Sequence, residues 1–234
     1  VKKGALQSLT QILMHGVVIW SLGSVALGQS PVSADLQFVP KTARQAAADG
    51  NAAFVDGDME RARAAYTTVL ELAPDNLVGL VNLGVVEFTS GNFLEAEKFL
   101  KLAVQQRIET APAWLTLGIL YMDQGRLEES LAALTQAVLY DPKNARARNY
   151  LGVVVGRKGW LAGAQSELRE AVELDPNYSD AHFNLAFFYL EVRPPLVELA
   201  RRHYFRSLAL GAEPDREMEA EIEKLSSPSS DIDP

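Results

Sequence analysis

Glycine recurs at Gly50, Gly84, Gly118 and Gly152 with a constant spacing of thirty-four, and Ala186 continues the series at the same interval. A period of this length points to a stack of one small structural unit, repeated, rather than to a globule around a single core. The interval also links Leu83, Leu117, Leu151 and Leu185; Gly57, Gly91, Gly125 and Gly159; Ala62, Ala96, Ser130 and Ala164; and Ala103, Ala137 and Ala171. Pro74, Pro142 and Pro176 lie on the same lattice, with Ile108 where a further proline would stand. The series runs from about Ala43 to Gly211.

Within one period, apolar residues return every three or four positions on both sides of a glycine-containing break, which is the pattern of two antiparallel helices. In Ala111 to Asn144, Trp114, Leu117, Gly118 and Tyr121 fall on one face of a first helix. Ser130, Leu134 and Ala137 do the same on a second, after the turn at Gln124-Gly125-Arg126. Small residues let the backbones approach, and the bulky ones fill the space beside them. Asp141-Pro142 then ends the second helix, because proline cannot continue it and biases the residue before it away from helical angles.

This succession of bulky residue, Leu-Gly, aromatic, turn glycine, small residue, apolar residue, alanine and proline, completed once per period, resembles the tetratricopeptide repeat (TPR) family. The resemblance covers roughly 170 residues. It implies an all-α fold, a right-handed solenoid of helical hairpins (an α-α superhelix), with about five units at 43–76, 77–110, 111–144, 145–178 and 179–212. The units depart from the family pattern in places. The first has Ala46 and Asp49 where bulkier residues are usual, the second Ile108 for proline, and the fourth Arg148 at the aromatic site. In the fifth, Arg193-Pro194-Pro195 replaces the tight turn, and Ala200 comes two places later than one period after Ala164, so a longer, stiffer connection is expected there. A solenoid needs a polar terminal cover. Residues 213–225 supply one: Pro214 can start a helix with Met218, Ile222 and Leu225 on one face and Glu217, Glu219, Glu221 and Glu223 towards solvent.

The ends read differently from the repeats. Lys2 and Lys3 precede an uncharged run from Ile12 to Leu27 that closes on Ala26-Leu27-Gly28. A basic start, a short apolar stretch and small residues at the exit predict a signal peptide over residues 1–28, cleaved after Gly28, and a periplasmic or secreted product. A retained membrane anchor is the alternative. Cleavage removes two lysines and no acid, taking the formal charge from −8 to −10. Residues 29–42 read as a linker and 226–234 as a disordered tail.

Chemistry is scarce. With no cysteine there is no thiolate ligand, disulfide or cysteine nucleophile, and three histidines leave little for imidazole chemistry. The acidic balance argues against nucleic acid, whose phosphates call for a surplus of lysine and arginine. His182 sits where Trp114 sits two repeats earlier and reads as a packing residue. Asp56-Gly57-Asp58-Met59-Glu60 is an inter-helix turn whose Asp58 caps the next helix, since the further ligands of a calcium loop are missing. Glu128-Glu129, and Glu170 with Glu173, read as solvated helix faces, and no phosphate loop, HExxH or GxSxG element occurs. Neither a metal, a cofactor, a small-molecule substrate nor catalysis is expected. Arg201, Arg202 and Arg206 read as a solvated basic cluster, or one facing an acidic partner or the acidic terminal helix.

The resemblance implies that first helices of successive hairpins line a concave side where extended or helical peptides bind. Projection at 100° per residue puts on that face Asn51, Phe54, Val81, Asn82, Val85, Phe88, Leu115, Ile119, Met122, Arg146, Asn149, Val153, Phe183, Asn184 and Phe187. The face is apolar, so it is covered by a partner segment, by the chain's own ends, by another copy, or by curvature. In similar proteins such asparagines hold peptide main chain, since an amide both donates and accepts. Asn51 and Asn82 fit a terminal-carboxylate clamp, but Ala47, Pro112 and Thr116 stand where its basic partners belong. The expected function is a non-catalytic protein-interaction scaffold of the cell envelope. The alternatives are a self-associating or membrane-tethered assembly factor and an accessory subunit of an envelope-modifying enzyme.

Overall fold

A computed structural model describes residues 39–226, all of whose regular elements are α-helices. The predicted signal peptide, most of the linker and the tail lie outside the described residues. In chain order the helices are α1 (Lys41–Val55), α2 (Met59–Leu72), α3 (Leu77–Thr89), α4 (Phe93–Gln106), α5 (Ala111–Asp123) and α6 (Leu127–Tyr140). There follow α7 (Ala145–Arg157), α8 (Leu161–Leu174), α9 (Ser179–Glu191), α10 (Val197–Ala209) and α11 (Arg216–Ser226). The chain forms two compact units that divide between Arg126 and Leu127.

Local chemistry fixes the boundaries. Asp58, Asn76 and Asn144 accept backbone N–H groups from Arg61, Gly79 and Ala147, each at 3.0 Å, satisfying donors that a helix start leaves orphaned. Turn glycines Gly57, Gly91, Gly125 and Gly159 have φ of 78°, 79°, 73° and 86°, a region closed to most side chains. Around them one hydrogen bond recurs: the residue after each glycine donates to the carbonyl five positions back, as in Asp58 to Ala53 and Asn92 to Glu87, closing the first helix with a Schellman-type turn.

In the first unit α1 packs on α2, α3 on α4, and α5 lies against α3 and α4. Gly50 and Gly84 admit Tyr66 and Leu100, both fully buried, and Ala62 and Ala96 are likewise buried where the helices meet. Ala53, Phe54, Tyr66, Leu83, Val85 and Val86 form one apolar cluster, flanked by Met59, Leu70 and Phe99. A bidentate ion pair ties α2 to α3: Arg63 Nε donates to Glu87 at 2.6 Å and Nη2 at 3.2 Å, while Asn92 donates to the same carboxylate at 2.6 Å. Burial pushes the Glu87 carboxyl up, but these donors outweigh it and leave it below the ordinary carboxylate range.

In the second unit α7 pairs with α8 and α9 with α10, α8 and α9 join the two hairpins, and α6 rests on α7. Leu168 fills the space at Gly152, and the Phe188 ring of α9 fills that at Gly156. The expected long connection is present: residues 192–196 join α9 to α10, with a cis Arg193–Pro194 peptide, and Leu196 N–H donates to the Tyr189 carbonyl at 2.8 Å. The terminal helix begins two residues after Pro214, because Asp215 caps it by accepting from Met218 N–H at 2.8 Å. Met218 and Ile222 are buried against the hairpin, and the Tyr204 hydroxyl donates to Glu219 at 3.0 Å. Within the basic cluster, Arg201 pairs with Glu198 at 2.5 Å on its own helix, and Arg206 reaches Asn177 at 2.8 Å.

Candidate functional site

The face of the first helices is made by α1, α3 and α5 in the first unit and by α7 and α9 in the second. Charge is nearly absent from α3 and α5, which carry one acid each, Glu87 and Asp123. Eleven of the fifteen predicted residues are buried: Phe54, Val81, Asn82, Val85, Phe88, Ile119, Met122, Asn149, Val153, Asn184 and Phe187. Asn51, Leu115, Arg146 and Phe183 are partly exposed, and these four alone can meet another molecule without a rearrangement. The projection at 100° per residue assigns direction but not depth, so it returned residues such as Val85 that belong to the core cluster as well.

The amides are engaged within the chain. Asn51 accepts from the Tyr66 hydroxyl at 2.5 Å, and Asn82 hydrogen-bonds the same group. Burial pushes that phenol far up, so it serves as a hydroxyl and never as a phenolate. In the second unit Asn184 donates to Asn149 at 2.9 Å, and Asn149 donates to the Tyr178 hydroxyl at 3.4 Å. Tyr178, also driven up by burial, is a site residue that sequence reasoning passed over. It occupies the slot that Asn76, Thr110 and Asn144 occupy in earlier repeats. A phenol there cannot cap the helix as the asparagines do, and it turns instead to Asn149.

Arg146 lies over the Tyr150 ring at 5.7 Å, a cation–π contact. Burial raises the Asp180 carboxyl against the pull of Arg146. Among the described residues, Arg146 Nε and Asn184 Oδ1 are the buried side-chain atoms without a hydrogen-bond partner, and both stand on this face of the second unit. A buried orphaned donor and acceptor cost about 1–3 kcal/mol each, so they mark the place where the polar network is incomplete.

Among the described residues no group of three or more His, Asp or Glu is arranged to hold a metal, and no helix is long and apolar enough to cross a membrane. Glu97, whose carboxyl is held at about 2 chiefly by Arg126, against the opposing effect of burial and with help from Lys101 and Tyr121, bonds α4 to the end of α5 and is structural.

Comparison with known proteins places these helices. A search of curated proteins gave no match. Among solved structures, pilF of Pseudomonas aeruginosa is similar with a TM-score of 0.71 and 20% identity, over 79% of this chain and 84% of that one. MamA of Desulfovibrio magneticus RS-1 aligns with a TM-score of 0.62 and 19% identity, over 74% of this chain and 96% of that one. YrrB, described as a TPR protein with an unusual peptide-binding site, gives 0.60 and 21%, over 83% and 98%. At these identities the likeness is one of fold, the all-α solenoid of helical hairpins. Family models described as tetratricopeptide repeat match residues 48–112 and 115–179, and a further one matches 167–203. With more than half of its length matched in this way, the chain belongs to the tetratricopeptide repeat family.

Proposed function

We propose that the chain is a non-catalytic scaffold, exported to the cell envelope, that takes up a segment of a partner protein on the face of its first helices. The observation that carries this reading is the near absence of charge from the first helices α3 and α5. The second helices α2, α4 and α8 carry several charged residues each, whereas α3 and α5 carry one each and Glu87 is already neutralised by Arg63. A helix apolar around its whole circumference belongs in an interior or an interface, not at a solvated surface. In the second unit the partly exposed Phe183 gives a partner an apolar anchor beside the partly exposed Arg146, and in the first unit Leu115 occupies the slot equivalent to Phe183. The peptide-binding site named for YrrB is in keeping with this use of the fold.

Photo-crosslinking tests the reading. A benzoylphenylalanine at Leu115 or Phe183 is expected to capture a defined protein in cells, and one at the outward-facing Leu94 or Leu139 is not. Leu115→Ala and Phe183→Ala should weaken capture while the helical circular dichroism persists. Equal labelling from both sets of positions would refute the assignment of this face, and adducts only between copies of the chain would replace the partner by self-association.

A further inference from the structure

The last hairpin contains a histidine pair. His182 on α9 and His203 on α10 stack at 5.1 Å between ring centroids, with their Nδ1 atoms 2.8 Å apart. His182 Nε2 lies 3.2 Å from the carbonyl of Pro176. A carbonyl can only accept, so His182 Nε2 carries a proton, and in the neutral ring Nδ1 is then a bare acceptor. The proton shared by the two Nδ1 atoms therefore belongs to His203. One lone pair remains outside this network, that of His203 Nε2. A first proton must enter there, and a second, on His182, would set N–H against N–H.

The surroundings oppose even the first proton. Arg202 of α10 acts on both rings and Arg206 on His182, while the turn before α9 contributes Asp175. Tyr189, packed at 5.7 Å from His203, feels Arg169 of α8, and Glu219 of α11 is bonded to Tyr204. Two arginines against the one acid, Asp175, leave the balance of charge around an imidazolium positive. We propose that the His182–His203 pair is an acid-sensitive joint, closing the α9–α10 hairpin at neutral pH and loosening it as protons become available to the opened rings. In keeping with that geometry, burial first, then the neighbouring ring and Arg202, lower His203 to about 4, and burial chiefly lowers His182. The sign follows: a base whose folded pKa is depressed gives full stability above the ordinary value of 6.5 and loses it as pH falls below that. For His203 alone, going from pH 8 to 5 lowers the closed-to-open ratio about thirtyfold, or about tenfold after allowing for its partial exposure to solvent.

Because α9 also carries Phe183, Asn184 and Phe187, loosening would reach the face assigned to the partner. That consequence rests on the proposed function, but the joint itself does not. The test uses the whole chain without any partner. Imidazole resonances followed from pH 8 to 4 should show both His182 and His203 titrating below the ordinary 6.5. Amide exchange, corrected for its intrinsic pH dependence, should show protection of α9 and α10 falling about tenfold more between pH 8 and 5 in the parent than in His203→Gln, with α1 and α2 as a histidine-free reference. Titration of either ring at or above 6.5, or an equal loss of protection in parent and variant, would overturn the joint. The resonance titration decides the matter should the variant not fold, and a failed partner assay leaves both readouts unaffected.

Discussion

Adding one methyl group to a glycine should have opposite consequences at two places in the α7–α8 hairpin. At Gly152 a Cβ would stand 2.7 Å from Leu168 Cγ, 3.2 Å from its Cδ2 and 3.1 Å from the Ala164 carbonyl oxygen. Leu168 is fully buried and has no room to turn, and the carbonyl is part of the α8 backbone, so the helices themselves must part. Overpacking of this kind costs about 1–3 kcal/mol. Replacing a mid-helix glycine by alanine returns roughly 0.5–1 kcal/mol through reduced freedom of the unfolded chain. The net expectation for Gly152→Ala is a loss of about 1–2 kcal/mol. At Gly163 the same Cβ meets one atom, Val155 Cγ1 at 3.0 Å, on an exposed stretch of α8. There the propensity gain dominates, and Gly163→Ala should match or exceed the parent by up to about 0.5 kcal/mol. Urea titration followed by circular dichroism reads both. With a slope of about 2 kcal/mol per molar urea, the first variant shifts its midpoint down by roughly 0.5–1 M. A Gly152→Ala protein as stable as the parent would mean that the hairpin is not held at the closeness described, and the packing argument for the periodic glycine series would fall with it.

Further outcomes follow from the charged contacts. Arg63→Ala leaves Glu87 buried with Asn92 alone and should cost about 3 kcal/mol at neutral pH by chemical denaturation. That cost should shrink below pH 4.5, where the stranded carboxylate can take up a proton; a cost independent of pH would argue against a buried charge. Glu97→Gln should remove about 1 kcal/mol at pH 7, allowing for the exposure of Lys101 and Arg126. Since the Glu97 carboxyl is depressed to about 2, this contribution is present above the ordinary 4.5 and fades as pH falls towards 2, so parent and variant should converge in acid. Tyr66→Phe should cost about 1 kcal/mol through the lost bond to Asn51, measured as a shift in melting temperature.

The hairpins were legible because their determinants are local and repeat. Gly57, Gly91, Gly125 and Gly159 announce the turns through a backbone angle that needs glycine, and Asp58 caps α2 as its place before the apolar run required. The terminal helix starts at Arg216 rather than at Pro214, because the Asp215 carboxylate satisfies a backbone N–H and a proline ring cannot. The candidate face was legible only in direction. Whether Val85 or Leu115 reaches solvent depends on the neighbouring helices, which the phase of a single helix does not contain. The division of the chain between Arg126 and Leu127 has no counterpart in the lattice, which runs through that point without a break.

The polar contacts escaped for another reason: each joins residues whose types differ from one repeat to the next, so a search for identity passes over them. Their spacing is nevertheless regular. Arg63 bonds Glu87 and Glu97 bonds Tyr121, the two pairs having the same separation along the chain and each member lying one full period from its counterpart. That slot joins a second helix to the next first helix, filled once by an ion pair and once by a carboxylate with a phenol. Arg148 and Glu167, paired at 2.9 Å across the α7–α8 hairpin, fill another slot. His182 lies one period after Arg148, and His203 lies one period and two places after Glu167, the surplus belonging to the proline-containing connection. The histidine pair thus stands where the preceding hairpin has a salt bridge. An arginine–carboxylate pair at that slot keeps its charges down to the titration of the acid, whereas two imidazoles give up their neutrality within the range between about pH 7 and 4. What changes from one repeat to the next at this slot is therefore the pH at which its hairpin is held shut, and that can be read from the residue types once the fold supplies the spacing.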